Sequence, residues 1–418
     1  MEANVTVERG LRTARERPGV ALVWALAAVL FLDLLAKLAG VSLGPFETPW
    51  FALWFGGDLP LSRLASFVWD GVVIGAIIGL ASIGLSLTYS ILNFANFAHG
   101  DYLTVGAFSG WAVTYVIAGI GGLLALAETA INALTGLGQS RMGDADLVSL
   151  VLLRTPPLDA GANIWLSPAA IVVGLVVAAG VTVAAALVLD RFVYRPMRDA
   201  DGISLLIASI GVAFMLRYLV AFVFGNSRRI VTSTEQLPSL NVAETVTGAL
   251  PFLGPARGSL IIDLHEVTLV AVSVVLMLGL HFLLQRTKLG KAMRAMADNR
   301  ALAQVTGIPT ERVIRSTWVI GAGLTGAAGF LLVLSQGGLG FQTGWLLLLL
   351  IFAAVIMGGI GSIYGAIAGG LVIGLASRVS LIWLQGDLSS FARPTAFALM
   401  ILILLFRPSG IFGGVKTA

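Results

Sequence analysis

The 418-residue chain contains no cysteine, which excludes a disulfide framework, a thiolate nucleophile and any cysteine-built metal site. Charge is almost as scarce. Asp, Glu, Lys and Arg make up 11% of the residues, against about 25% in an ordinary soluble domain. No polar shell can be assembled from that inventory, and with 57% hydrophobic residues most of the surface must face hydrocarbon. The histidines His99, His265 and His281 lie too far apart in sequence for metal-ligand spacing. The phosphate-cradling pattern G-x-x-x-x-G-K-[ST] does not occur. An ion-coupled secondary transporter would carry a carboxylate at the middle of a span, yet Asp33, Asp70 and Asp101 all fall near span ends. A membrane-embedded enzyme would need clustered acid, base and nucleophile. His99 with Asp101 is the only close pair, and no nucleophile stands beside it.

What the chain does contain is a succession of apolar runs long enough to cross a bilayer, which takes about 20 residues each. They fall near 20–39, 71–92, 102–123, 166–189, 203–224, 266–285, 316–335, 345–360, 362–384 and 394–406. The expected fold is all-α: a polytopic transmembrane helix bundle of about 8–10 spans, including broken or re-entrant helices among the last, closely spaced segments. Alternating the segments from an inner start places Arg9, Arg12, Arg15, Arg17, Arg191, Arg195, Arg198, the basic stretch 286–315, Arg407 and Lys416 on one side. The opposite loops are richer in Glu and Asp, including Glu47, Asp58, Asp144, Asp146, Asp159, Glu235, Glu244 and Asp263. Lys and Arg favour the cytoplasmic side, so both termini are expected inside. The net charge of +4 is then a matter of orientation and not a sign of nucleic-acid binding. The first apolar run is too long for a cleaved leader and holds Asp33 and Lys37, four residues apart, expected as a snorkelling pair at the interface. Arg217 and Arg378 are expected to snorkel to the outer headgroups or to line an outward vestibule.

Residues 286–315, "RTKLGKAMRAMADNRALAQVTGIPTERVIR", place Leu289, Ala292, Met293, Met296 and Ala297 at helical spacing, with Lys291, Arg294 and Arg300 off that stripe. The helix continues through Ala303 and ends at Gly307 and Pro309, ahead of which a docking surface of exposed methionines and alanines is expected. The alternative is an amphipathic helix lying on anionic lipid. Glycine is abundant, 50 residues in all. Gly361, Gly365 and Gly369, and again Gly370 and Gly374, form small-xxx-small faces. Gly358, Gly359 and Gly361 mark a helix interruption, whether for packing or to line a cavity.

The stretch "NFANFAHGDY", residues 93–102, concentrates Asn93, Asn96, His99 and Asp101 between two apolar runs. One reading is a turn between spans with Asp101 capping the next helix, and with Asn93, Asn96 and Gly100 on a common helical face. The other is a broken helix whose amide and imidazole groups stabilise backbone along a pathway.

"GLSLTYSILNFANFAHGDYLTVGAF" resembles the signature stretch of branched-chain amino acid ABC importer permeases of the LivH type. "RFVYRPMR", "LGKAMRAMADNRALAQVTGI", "VIMGGIGSIYGAIAGG" and "LLFRPSGIFG" resemble further blocks of those permeases, in the same order. The resemblance implies a permease domain over 66–413, with external loops near 124–164 and 225–265. An added helix and loop would precede it in 1–65, and a short tail would follow over 414–418. It implies one permease half of an importer, with a second homologous permease, two cytoplasmic ABC ATPase subunits that bind the ATP, and an external solute-binding protein. No cofactor is expected in this chain. The ATPase-coupling loop would comprise Leu289, Gly290, Met293, Arg294, Met296, Ala297, Ala303, Gly307 and Ile308. Small residues and sparse polar groups would line the path, drawn from Tyr89, Asn93, Asn96, His99, Asp101, Ser335, Gln336, Gly358, Gly359 and Gly361. Urea and short-amide importers share these blocks, so the solute is open between amino acids and amides.

Overall fold

A computed structural model describes residues 18–47, 52–135, 168–230, 239–241 and 260–412. The arginine-bearing tail, the stretch after Thr135 up to Ser167, much of the 225–265 loop and the tail 414–418 lie outside the described residues. In chain order the elements are α1 (Pro18–Leu38), the hairpin β1 (Ser42–Glu47) and β2 (Ala52–Gly56), α2 (Leu61–Leu92), α3 (His99–Thr135), and α4 (Pro168–Leu189). A π turn (Asp190–Tyr194) extends α4. There follow α5 (Gly202–Phe224), β3 (Arg229–Ile230), β4 (Ser239–Asn241), β5 (Ile261–Asp263), α6 (Leu264–Arg286), α7 (Lys288–Asp298), α8 (Arg300–Val305) and α9 (Thr310–Gln336). The chain closes with β6 (Gly338–Leu339), α10 (Thr343–Gly358), α11 (Ile363–Val379), two 3-10 turns and α12 (Ala392–Phe406).

Every apolar segment expected from the sequence is a helix, and the fold is an all-α membrane bundle, with two-stranded ribbons the only sheet among the described residues. Among the described residues seven helices are long and apolar enough to cross a membrane, while α10 is shorter at 16 residues. The largest departures are in α3, which runs to Thr135, twelve residues past the expected span end and into the stretch expected as an external loop near 124–164, and in α2, which begins at Leu61, ten residues ahead of the apolar run. Arg63 and Asp70 interrupt hydropathy there without interrupting hydrogen bonding; the apolar pattern reports what hydrocarbon covers, not where a helix ends. Local chemistry sets the other boundaries. Pro18 and Pro168 occupy first helical positions, where the missing N–H has no partner to lose. Asp201 caps α5 by accepting from the Ser204 N–H at 3.2 Å, and these contacts with Ser204 hold its carboxyl below the ordinary range.

The chain divides into two compact units. The smaller takes in residues up to Asp70, Leu240–Ile262 and Ala376–Pro408. Its organising group is Asp33, which pairs with Lys37 and accepts from the Gly56 N–H at 2.6 Å and the Trp383 indole N–H at 2.7 Å. The snorkelling expected of this pair is therefore corrected: both residues are buried, and the carboxylate ties the hairpin and the segment after α11 to α1. Arg378, also expected to snorkel, is half-buried and within electrostatic reach of the Asp70 carboxylate in the same unit.

In the larger unit α2 and α9 are core helices, their apolar windows 89% and 78% buried, whereas α4, α5 and α6 leave most of theirs to lipid. α3 packs against α4, α9, α10 and α5. Small residues set these distances. A Cβ at Gly344 of α10 would come within 1.8 Å of the Gly100 carbonyl oxygen of α3. The small-residue stripe of α11 splits between two neighbours. Gly365 and Gly369 press on Gly358 and Ala354 of α10, while Gly370 and Gly374 press on Gly79 and Gly75 of α2. Replacing Gly344 by Val is expected to destabilise the purified protein by about 1–3 kcal/mol through overpacking, read as a lowered thermal midpoint in detergent.

Candidate functional site

Among the described residues of the larger unit, polar groups gather at two breaks in the helical structure, at the π turn and on one surface loop. The first break lies between α2 and α3. Asn93 adopts φ 56°, a left-handed conformation that Asn tolerates better than other side-chain-bearing residues, and turns the chain out of α2. Its N–H still reaches the Tyr89 carbonyl at 2.8 Å. The backbone that follows is received by side chains. Asn96 Oδ1 accepts from the Ala98 N–H at 3.0 Å and from the Tyr194 hydroxyl at 3.4 Å. The Phe97 N–H donates to Ser209 Oγ on α5 at 3.0 Å. His99 opens α3, with Nε2 at 2.9 Å from the Ala81 carbonyl of α2 and 3.3 Å from Thr325 Oγ1 of α9.

Asp101 does not cap α3, and Arg217 does not snorkel. They pair with each other, Nε to Oδ1 at 3.0 Å and Nη2 to Oδ2 at 2.9 Å, with the carboxylate wholly buried. The planar guanidinium matches the carboxylate at both nitrogens, the geometry that makes such a pair strong. It also lies 4.4 Å from the Trp345 ring centroid and 5.3 Å from that of Phe214. This pair fastens α5 to α3. Because the chain leaves the helix at Asn93, the common helical face expected for Asn93, Asn96 and Gly100 does not exist either.

A second polar cluster joins the π turn to α9. Asp190 accepts from the Trp318 indole at 2.8 Å and from Arg198 at 3.0 Å, and Arg198 also pairs with Glu311. Tyr194 stacks on Trp318 at 5.2 Å and Tyr102 meets the same indole edge-on at 6.2 Å. Sequence reasoning missed this cluster; of its charged members only Arg198 entered, as a marker of orientation.

The second break separates α10 from α11. Gly359 and Gly361 adopt φ 105° and 85°, and Gly361 lies beside Ser90, one residue past Tyr89. The Ser86 hydroxyl reaches the Ser362 carbonyl at 3.4 Å. The carbonyls freed at the end of α10 are taken up by the segment after α12: the Ile411 N–H donates to Met357 at 2.8 Å and the Phe412 N–H to Gly358 at 3.0 Å. That gives a physical role to the closing "RPSGIFG", which periodicity alone could not assign. Gly358 itself is a packing residue, buried against Gly365.

The surface loop is two short helices. Thr287 caps α7 through the Gly290 N–H at 3.0 Å, and Asn299 caps α8 through the Leu302 N–H at 3.0 Å. Gly307, at φ 83°, ends α8. The methionines expected on the outside are inside: Met293 and Met296 are buried, as is Ala303. The apolar groups that reach solvent are Leu302 at 61% and Val305 at 86% exposure. Leu289, Arg294, Ala297 and Ile308 are half-buried, and Gly290 is buried.

Tyr89 is half-buried and Asn93 exposed, whereas Asn96, His99 and Asp101 are spent on contacts within the chain. Ser335 and Gln336 stand at the other end of α9; from Gly321, which touches Thr88, the helix rises about 21 Å to Ser335. The structure thus sets Gly361 against Ser90, next to Tyr89 in sequence, sets the Asn93 carbonyl against Gly202, and places Ser335 and Gln336 at the far end of α9.

Residues 67–406 match a family described as branched-chain amino acid transport system / permease component. The chain is 31% identical to the high-affinity branched-chain amino acid transport system permease protein LivH of Escherichia coli K12, over 83% of this chain and 94% of that protein. It is 29% identical to the corresponding permease protein BraD of Pseudomonas aeruginosa, over 82% and 94%. A probable LivH of Methanocaldococcus jannaschii is 28% identical, over 82% and 90%.

Removing one partner of the buried pair leaves the other charged and unpaired. Arg217→Met is expected to cost about 3–5 kcal/mol of stability in a lipid nanodisc, and adding Asp101→Asn to it is expected to recover most of that loss. A fully additive double-mutant cycle would contradict the pairing.

Proposed function

The chain belongs to the family of permease components of branched-chain amino acid transport systems, and we propose that it forms the membrane path of an ATP-driven importer for branched-chain or similar amino acids. The observation that carries this reading furthest is the α7–α8 loop. It has a buried methionine face that fixes it to the bundle, and an exposed Leu302–Val305 edge ahead of the Gly307 stop. Such an edge on a basic loop suits a hydrophobic groove on a soluble ATPase subunit. In this reading two cytoplasmic ABC ATPases bind ATP and move the loop. A second homologous permease completes the path, and an external binding protein delivers the solute. The loop and both termini then face the cytoplasm.

The solute is zwitterionic at one end and apolar at the other. A path that exposes Tyr89 and Asn93 beside the α10–α11 break at one end, and Ser335 and Gln336 at the other, offers sparse polar contacts and much small-residue surface. Weak contacts suit a conduit whose selectivity is set by external capture, because tight binding within it would slow release.

Two measurements test this. Reconstituted alone, the chain should not move solute on an ion gradient, while the complex with ATPase subunits should accumulate it on ATP addition. Leu302→Glu and Val305→Glu should lower ATP-driven uptake at least about ten-fold, as loss of an apolar interface anchor does, with normal membrane insertion. Ala303→Glu, by contrast, buries a charge and should reduce the folded yield itself. Unchanged uptake in both edge variants removes the docking assignment.

A further inference from the structure

One polar chain crosses the larger unit from the docking loop to the second helix break, and neither the path nor the docking edge accounts for it. Arg294 on α7 donates to Gln285 Oε1 at 3.1 Å. Gln285, at the end of α6, donates through Nε2 to the Tyr364 hydroxyl at 3.4 Å. The Tyr364 hydroxyl lies 2.7 Å from His281 Nδ1, one turn earlier on α6. Each group finds its complement when the donors run in one direction, from guanidinium to amide to phenol, with Nδ1 accepting the last proton. The bond between Tyr364 and His281 is part-buried, and the two made by Gln285 are exposed to solvent.

The chain's ends are mechanically distinct. At one end α7 is folded hard against α6: a Cβ at Gly290 would stand 2.3 Å from the Leu284 carbonyl, so Gln285 is carried by whatever moves α7. At the other end Tyr364 is the second residue of α11, directly after the break. Ser362 caps that helix through the Gly365 N–H at 3.0 Å, and its carbonyl receives the Ser86 hydroxyl of α2. A displacement of α7 therefore has a short route to the Gly359–Ser362 turn, and through it to the end of α2 that bears Tyr89 and Asn93.

We propose that Tyr364 is a positioning residue of the transport cycle, a strut whose hydroxyl holds the α10–α11 break in step with the docking loop through Gln285, Arg294 and His281. The proposal rests on the importer reading. Tyr364 touches neither ATP nor the docking edge, so its loss should separate two quantities that a merely structural defect would lower together.

The experiment uses the complete complex in lipid vesicles and measures ATP hydrolysed and solute accumulated in the same preparation. Tyr364→Phe, which removes only the hydroxyl, should keep ATP hydrolysis near that of the unaltered complex. Solute moved per ATP should fall roughly five-fold, the factor that one neutral hydrogen bond is worth. His281→Ala should do likewise, and His281→Gln, which restores an acceptor, should recover much of the ratio. A wild-type ratio in Tyr364→Phe overturns the strut. If the unaltered complex shows no ATP-driven uptake, the importer reading itself fails, and that outcome is read before any variant is compared. A second measurement does not depend on the variant's folding. The chain has no cysteine, so spin labels at Lys291→Cys and Ile360→Cys, both exposed positions, report one distance. That distance should stay constant between nucleotide-free and ATP-bound complexes if the strut is rigid. A shift of several ångström with Tyr364 intact would sink the proposal.

Discussion

A backbone group that leaves a helix inside a membrane protein must find a partner within the protein, because hydrocarbon offers none. The larger unit is arranged around that constraint at two places. Between α2 and α3 the partners are the side chains of Ser209 on α5 and of Asn96 in the break itself, the latter held in turn by the Tyr194 hydroxyl. Between α10 and α11 they are main-chain N–H groups from the segment after α12. Each solution ties a local irregularity to elements distant in sequence. A break can therefore shift only if its partners shift with it, or exchange.

The same logic explains why so many polar residues of this chain are turned inward. Asn96, His99 and Asp101 were natural candidates for a solute path, since a polar residue in an apolar run demands a reason. Their reason is structural: each is buried and engaged with α2, α5, α9 or the π turn. Groups that stay accessible, Tyr89, Asn93, Ser335 and Gln336, are those beside the breaks or at a helix end. Rigid polar packing inside and sparse polar exposure at the ends are a coherent division of labour for a conduit.

Much of this was legible in the sequence. Apolar runs located each helix, and Gly358–Gly361 and Asn93–Asp101 both marked real interruptions. Gly307 ends α8 as expected, but the helix expected to run on through Ala303 is divided at Asn299, whose side chain caps α8. What escaped was pairing and facing. Asp101 and Arg217 are 116 residues apart, on α3 and α5, and nothing local in either stretch names the other. The methionines of α7 have the right spacing for a stripe, but spacing cannot say whether the stripe meets a partner or the parent bundle. Here it meets the bundle, because Gly290 lets α7 lie flat against the end of α6.

The hydrogen bonds from Ile411 and Phe412 carry a consequence for how the protein is made. Each carbonyl precedes its donor by 54 residues (357 to 411, 358 to 412), so the end of α10 is completed only when the segment after α12 folds back onto it. The closing turn of α10 is thereby tied to the order in which the chain assembles.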